Sequence, residues 1–315
     1  MTDLQLRVGE SQRILKNLVQ VYTCHGFRGD PKRLKLAMFT AYFDESGLAP
    51  SEKFCNVAGF IGDEAQWSGF IAEWIAELGH HRKNLHMTKL RWNRRYENIV
   101  KDLARLGPIP HKYNLSLVRV GVWHKDVEDL IKGKINESFT NPYVMCATTC
   151  ISVVLQEVLG PNDEVMFIFD LQEGRRARTM ALLRKFVFEF AKMDRRVKDI
   201  DFRPHQTTVC LDPADYFAYG FRENQVNPAS PRAKACLPIA ECNKGYGGIL
   251  GRHQIEQLAE HYKQHGLIPG SKWRKLPTDL ISELLKVGWT KERLQTLQSW
   301  VDKHNQKGDW HEQGI

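Results

Sequence analysis

A chain of 315 residues with 42% hydrophobic and 26% charged side chains is ordinary globular material, which excludes a disordered tract and leaves room for one large domain plus a small appendage. No run approaches the roughly 18 uninterrupted apolar residues of a membrane helix, and the N-terminus lacks the basic-then-apolar order of a secretory signal. The net charge of +8 suits a polyanionic partner.

In chain order, residues 1–22 predict an amphipathic helix with Leu6, Ile14, Leu15 and Leu18 on one face, followed by a basic Gly/Pro link, "CHGFRGDPKR". "LAMFTAYFD" reads as a strand buried on both faces, and "FCNVAGFIG" as a second strand close enough to pair with it as a hairpin. "DEAQWSGFIAEWIAELG" has an acidic first turn and Trp67, Phe70, Ile71, Trp74, Ile75 and Leu78 at helical spacing. A basic segment leads to a helix near Tyr96–Leu106, and "LSLVRVGVW" is a third strand. "NPYVMCATTCISVVLQEVLG" is a nearly all-apolar core helix, opened by Asn141 and Pro142 and closed by Gly160. "EVMFIFD" is a fourth strand, "ARTMALLRKFVFEFAKM" a helix, "DFRPHQTTVCL" holds a short strand, and "DPADYFAYGFREN" is a helix capped by Asp212 with Pro213 at its first position. Residues 226–248 look like a Pro/Gly-rich linker, and the tail beyond them is helical. The expected division is 1–35 helix and link, 36–225 main α/β domain, and 226–315 loop and helical extension.

The seven cysteines are odd in number, and none forms a CxxC pair. Cys146 and Cys150 stand one helical turn apart, and without a second pair at zinc-like spacing they read as reduced core residues, consistent with a cytoplasmic protein. Positive charge is concentrated. Residues 80–95, "HHRKNLHMTKLRWNRR", carry six Lys/Arg, three His and no acid, and residues 175–203 carry ten Lys/Arg against four acids. Such clusters fit a nucleic-acid backbone, because each neutralised phosphate releases counterions; a solvated basic face explains the same charge.

The acids have a more particular distribution. In "AYFDESG", Asp44 and Glu45 end the first strand; Asp170 ends the fourth; Asp215 lies one turn into the late helix. Strand ends of an α/β sheet line one edge, where ligands gather. Carboxylates brought together there repel unless a cation neutralises them, and hard oxygen donors select Mg²⁺ or Mn²⁺. Two such ions clamp the attacking and leaving oxygens of a phosphodiester. Each acid taken alone reads equally as a cap or a solvated loop residue.

The ordered set "YFDESG", "LHM", "FIFD" and "LDPADYFAYGFRE" resembles the domain of unknown function 3800 family over roughly residues 37–225. The resemblance implies a ribonuclease H-like fold (a mixed sheet with flanking helices) and a metal-dependent nuclease acting on DNA or RNA. It also implies Asp44, Asp170 and Asp215 as catalytic metal ligands for Mg²⁺ or Mn²⁺, and a role in defence against mobile elements. The family often has Gln where this chain has Asp212, which reads as a helix cap or an additional ligand.

Other candidates carry less. Glu45 ligates only if the chain has already turned, since side chains alternate along a strand. Ser46 is a turn residue. His86 suits a phosphate contact or proton shuttle; His205 and Glu173 sit near acid-bearing ends. Arg82, Lys83, Lys89, Arg91, Arg175, Arg176 and Arg178 are candidate phosphate anchors. Trp67 and Trp74 read as core. Trp92, flanked by basic residues, is the candidate base-stacking platform, with Trp123 behind it. The rival expectation is a non-catalytic nucleic-acid-binding or scaffold protein on the same fold. A third is a hydrolase of small nucleotides. The C-terminal helices are the candidate surface for self-association or a protein partner.

Overall fold

The computed structural model describes residues 38–49, 51–79, 84–90, 92–134, 140–171, 196–243 and 245–264. The predicted N-terminal helix and link, the helix over 177–193 and the helices beyond 264 lie outside these residues. The described residues up to 125 and from 141 to 250 form one unit; those of 126–140 and 251–315 form a second. In the second, α9 (Arg252–Gln264) begins with Arg252 2.6 Å from Asp126, an exposed pair of small energetic weight. No described helix is long and apolar enough to cross a membrane.

The first unit is a mixed α/β layer. Strands β1 (Met38–Ser46) and β2 (Phe54–Asp63) form the expected antiparallel hairpin, from Phe39 opposite Asp63 to Ser46 opposite Asn56. Gly47 makes the turn possible. Its φ is 81°, and a Cβ there would stand 1.9 Å from the Phe54 carbonyl oxygen, so no other residue fits directly behind "DES". β3 (Ser116–Trp123) pairs antiparallel with β2; β4 (Glu164–Asp170) runs parallel to β1, and β5 (Val197–Arg203) parallel to β4. β6 (Gly245–Ile249) adds in parallel outside β3. The strand order is β5-β4-β1-β2-β3-β6, so β2 alone runs against the rest. The sheet thus continues past residue 225 into a segment whose Pro and Gly content reads as linker. Tertiary pairing with β3 overrides that composition.

The near-unbroken apolar runs of β1 and β4 follow from helices on both faces. On one face α1 (Glu64–Leu78) starts from a capping box between Asp63 and Gln66 and buries Trp67, Phe70, Ile71, Trp74 and Leu78. At ~1.5–3 kcal/mol per large buried side chain, that stripe contributes roughly 10 kcal/mol before chain entropy is counted. The Trp67 indole donates to the Thr40 carbonyl at 2.8 Å, fixing α1 over β1. The same face carries α2 (Trp92–Leu106) and α6 (Asp212–Val226), with the short α3 (Ile109–Lys112), α7 (Pro231–Ala235) and α8 (Leu237–Cys242) at its margin. α4 (His124–Leu130) follows β3 directly.

On the other face lies α5 (Pro142–Val153), capped by Asn141 as its sequence predicts and closed by a π-turn over Val154–Val158. Its Cys146 and Cys150 thiols point at the Cys55 and Val57 carbonyls of β2 as buried core residues, and neither belongs to a metal-capable group among the described residues. The two faces separate neighbouring residues of β1. Tyr42 belongs to the core beneath α1 and α6, and Phe43 stacks on Phe169 on the α5 side.

Candidate metal centre

Strand alternation puts Asp44 on the Tyr42 face, under α6. The parallel register of β1 with β4 runs through Phe43 opposite Phe169, so the next pair in line is Asp44 and Asp170, side by side at the C-terminal ends of two parallel strands. From above, the first turn of α6 lowers Asp215 onto them. All three are buried, with 4%, 8% and 5% of their surfaces exposed. The acids expected from three separate stretches of sequence therefore share one pocket.

Two further groups complete it. His205 is buried and lies between Asp44 and Asp212, its Nδ1 3.6 Å from Asp44 Oδ2. Its Nε2 is 2.9 Å from both Asp212 Oδ1 and the Leu85 carbonyl oxygen. Both of those are acceptors, so Nε2 carries a proton whether the ring is neutral or charged, and Nδ1 is the nitrogen presented to Asp44. One ligand atom each from Asp44, His205 and Asp215 lie within 4.8 Å of one another, a buried group able to hold a metal ion. The carboxylate–histidine pairing behind it is the arrangement that fixes tautomer and ring orientation in metal-ligating histidines.

Asp212 is a correction to its reading as a helix cap. The residue begins α6, but its fully buried carboxylate reaches away from the helix and accepts from Trp74 Nε1, the Leu85 N–H and His205. It ties α1, the segment before α2 and the site together. Asp215 is held comparably. Its Oδ2 accepts from the Met87 N–H at 2.8 Å and lies 3.1 Å from His86 Nδ1, while the His86 ring stacks on His205 with centroids 5.1 Å apart. The "LHM" stretch thus serves the site through two backbone amides and one imidazole. Asp44 Oδ1 accepts the Glu45 N–H at 2.7 Å.

The electrostatics follow from crowding acids in a dry place. Burial pushes the Asp44 carboxyl up, His205 opposes, and Asp215 and Asp170 add to the rise, leaving it at about 7. Asp170 is raised by burial and by Asp215. Burial works against the imidazolium of His205, but Asp212 and Asp44 outweigh it and hold the group well above the usual histidine range.

The remaining candidates scatter. Glu45 does not join the cluster. β1 stays extended through Ser46, so Glu45 points to the α5 face, where its charge is the largest of three carboxylates raising the Tyr143 phenol, after burial itself. Trp92 is no open stacking platform. It is 6% exposed, stacked on Tyr219 and overlain by Arg232, because α2 turns it inward. Lys89 is exposed, in a 3₁₀ turn two residues after Met87. Trp67 and Trp74 are core, and Trp123 packs edge-on against Phe54. Arg82, Lys83, Arg91, Glu173, Arg175, Arg176 and Arg178 lie outside the described residues. The sequence undervalues His205, whose only signal is its place between a strand end and the "LDPAD" helix start.

No protein-family model matches the chain, and no curated protein is similar enough to count as a relative.

Proposed function

We propose that the chain is a metal-dependent nuclease of ribonuclease H-like fold, hydrolysing phosphodiester bonds of DNA or RNA with Mg²⁺ or Mn²⁺. The observation that carries this reading is the buried group of Asp44, Asp215 and His205, one ligand atom of each within 4.8 Å of the others, with Asp170 beside Asp44 at the end of the neighbouring parallel strand. The order β3-β2-β1-β4-β5 with only β2 reversed supports a ribonuclease H-like sheet, as does the resemblance of its ordered motifs to the domain of unknown function 3800 family.

The donor set fits a divalent cation. Three carboxylates supply hard oxygens, and the imidazole Nδ1 adds a donor that tilts the preference toward Mn²⁺ over Mg²⁺. Asp44, Asp170, Asp215 and His205 would hold it. Once bound, a cation here supplies charge neutralisation for the phosphoryl oxygens and a water acidic enough to attack at neutral pH. The protein's share is orientation. Asp212 fixes the His205 ring, the Met87 amide fixes Asp215, and the Glu45 amide fixes Asp44, each leaving a second oxygen or nitrogen turned to the pocket. His86, a quarter exposed and stacked on His205, is placed to pass a proton between Asp215 and solvent.

The test is cleavage of labelled single- and double-stranded DNA and RNA with Mn²⁺, Mg²⁺ or EDTA. The reading requires turnover with a metal and its loss in Asp44→Asn and Asp170→Asn proteins that keep the native circular dichroism spectrum. His205 favours one alternative. An imidazolium between Asp44 and Asp212 neutralises the acids without any metal, which suits a non-catalytic nucleic-acid-binding protein. Salt-sensitive nucleic-acid binding with no cleavage in any metal would select it.

A further inference from the structure

The cross-strand register gives Asp44 a second neighbour of opposite sign. Asp44 stands opposite Ala58, Ala58 opposite Arg119, and Arg119 opposite Gly247. Directly paired residues share a face, so Arg119 of β3 emerges on the same side of the sheet as the carboxylates. It stands two strand spacings from Asp44, about 10 Å at ~4.8 Å per spacing. α6 spans this interval. Asp215 in its first turn lies over Asp44, and Phe217 and Phe221 further along present their rings to the Arg119 guanidinium at 5.8 and 5.3 Å.

Arg119 is half-buried, and its Nε is buried with no hydrogen-bond partner among the described residues. None of their carboxylates pairs with it, and burial alone acts on its charge, lowering the pKa. Arg222, by contrast, on the same helix as those two rings, is neutralised by Glu52 and Glu223. A desolvated guanidinium held by two aromatic faces and left without an anion is poised to accept one. The part of the neighbouring edge strand directly beside Arg119 carries only glycines on that face, with Ile249 the next residue along it. Gly245 and Gly247 of β6 fall on the Arg119 face, and Gly247 has φ 78° with its Cα close above the Arg119 carbonyl, where a Cβ would come within 2.2 Å of the oxygen.

We propose that Arg119 is an anchor for a backbone phosphate of the bound strand, which runs from the carboxylate cluster alongside α6 toward β6. The proposal rests on the nuclease reading and deepens it. The span of about 10 Å, two strand spacings, is short on the scale of a nucleic-acid backbone, so the anchor holds a phosphate close along the strand to the one cleaved. Arg119 touches no reacting atom; it is a positioning residue.

The test is fluorescence anisotropy with a labelled oligonucleotide of the cleaved type, with Ca²⁺ in place of the catalytic metal, over a series of salt concentrations. Arg119→Gln is expected to weaken binding about tenfold at low salt and to lower the slope of log affinity against log salt by about one, with Arg119→Lys recovering part of both. Arg119→Met keeps the contact with Phe217 and Phe221 and must bind like Arg119→Gln while unfolding at the wild-type midpoint. Wild-type binding with an unchanged slope in Arg119→Gln overturns this anchor and leaves the nuclease reading standing. No binding by the wild-type protein overturns both.

Discussion

Replacing Asp44 with Asn exposes the energetic cost of the cluster. A carboxyl raised from 3.8 to about 7 binds its proton more tightly in the folded chain than in the unfolded one. Its contribution to stability is therefore fully present below pH 3.8 and is lost as pH climbs through about 7. At ~1.36 kcal/mol for each tenfold change in proton affinity, the loss is about 4 kcal/mol by pH 8. Asn keeps the shape and one acceptor oxygen without the titration. The attraction to His205 is already contained in that value, so the gain at pH 8 is up to about 4 kcal/mol, or about 8–16 °C in melting temperature. Urea unfolding in EDTA from pH 4 to 9 reads this directly. The stability advantage of Asp44→Asn over wild type is expected to widen from pH 4 to 7 and then level. An advantage independent of pH, or a mutant less stable than wild type at pH 8, refutes the reasoning, because Asp44 would then not be a carboxylate strained by its neighbours.

Asp212→Ala strips three buried donors of their acceptor and is expected to destabilise the protein by about 3–5 kcal/mol in urea, against under ~1 kcal/mol for an ordinary exposed helix-start acid. Gly59→Ala places a Cβ 2.0 Å from the Tyr42 carbonyl oxygen and is expected to cost about 3 kcal/mol, measured by the same unfolding; a neutral result would contradict the β1–β2 register. Mn²⁺ at about 100 times its dissociation constant is expected to stabilise wild type by ~2.7 kcal/mol and Asp215→Asn far less, read as melting temperature with and without metal.

Much of this architecture is legible in the chain because period and punctuation agree with tertiary structure. The apolar run into Asp44, the acidic start and aromatic stripe of α1, Asn141–Pro142 before α5 and Pro213 at the start of α6 each name an element by local chemistry. The three acids are readable for a related reason, since strand ends and helix starts are where a fold can afford polar groups. What the sequence conceals depends on partners distant along the chain. Asp212 looks like a cap because capping is local, whereas its actual donors, Trp74 and Leu85, lie 138 and 127 residues away. Trp92 looks exposed because its neighbours are basic, yet its environment is set by Tyr219 on α6. β6 reads as linker because glycine suppresses the strand signal, and only the Arg119 edge of β3 supplies the pairing that makes it a strand.

In the proposed nuclease the carboxylates of β1, β4 and α6 gather around a divalent ion. A crystal of the protein soaked in Mn²⁺ and measured at the manganese absorption edge tests it most directly. An anomalous peak is expected within coordination distance of Asp44, Asp215 and His205 Nδ1, with Asp170 beside it. A fully occupied peak elsewhere, or no peak at saturating Mn²⁺ while His205 still bridges Asp44 and Asp212, would contradict it.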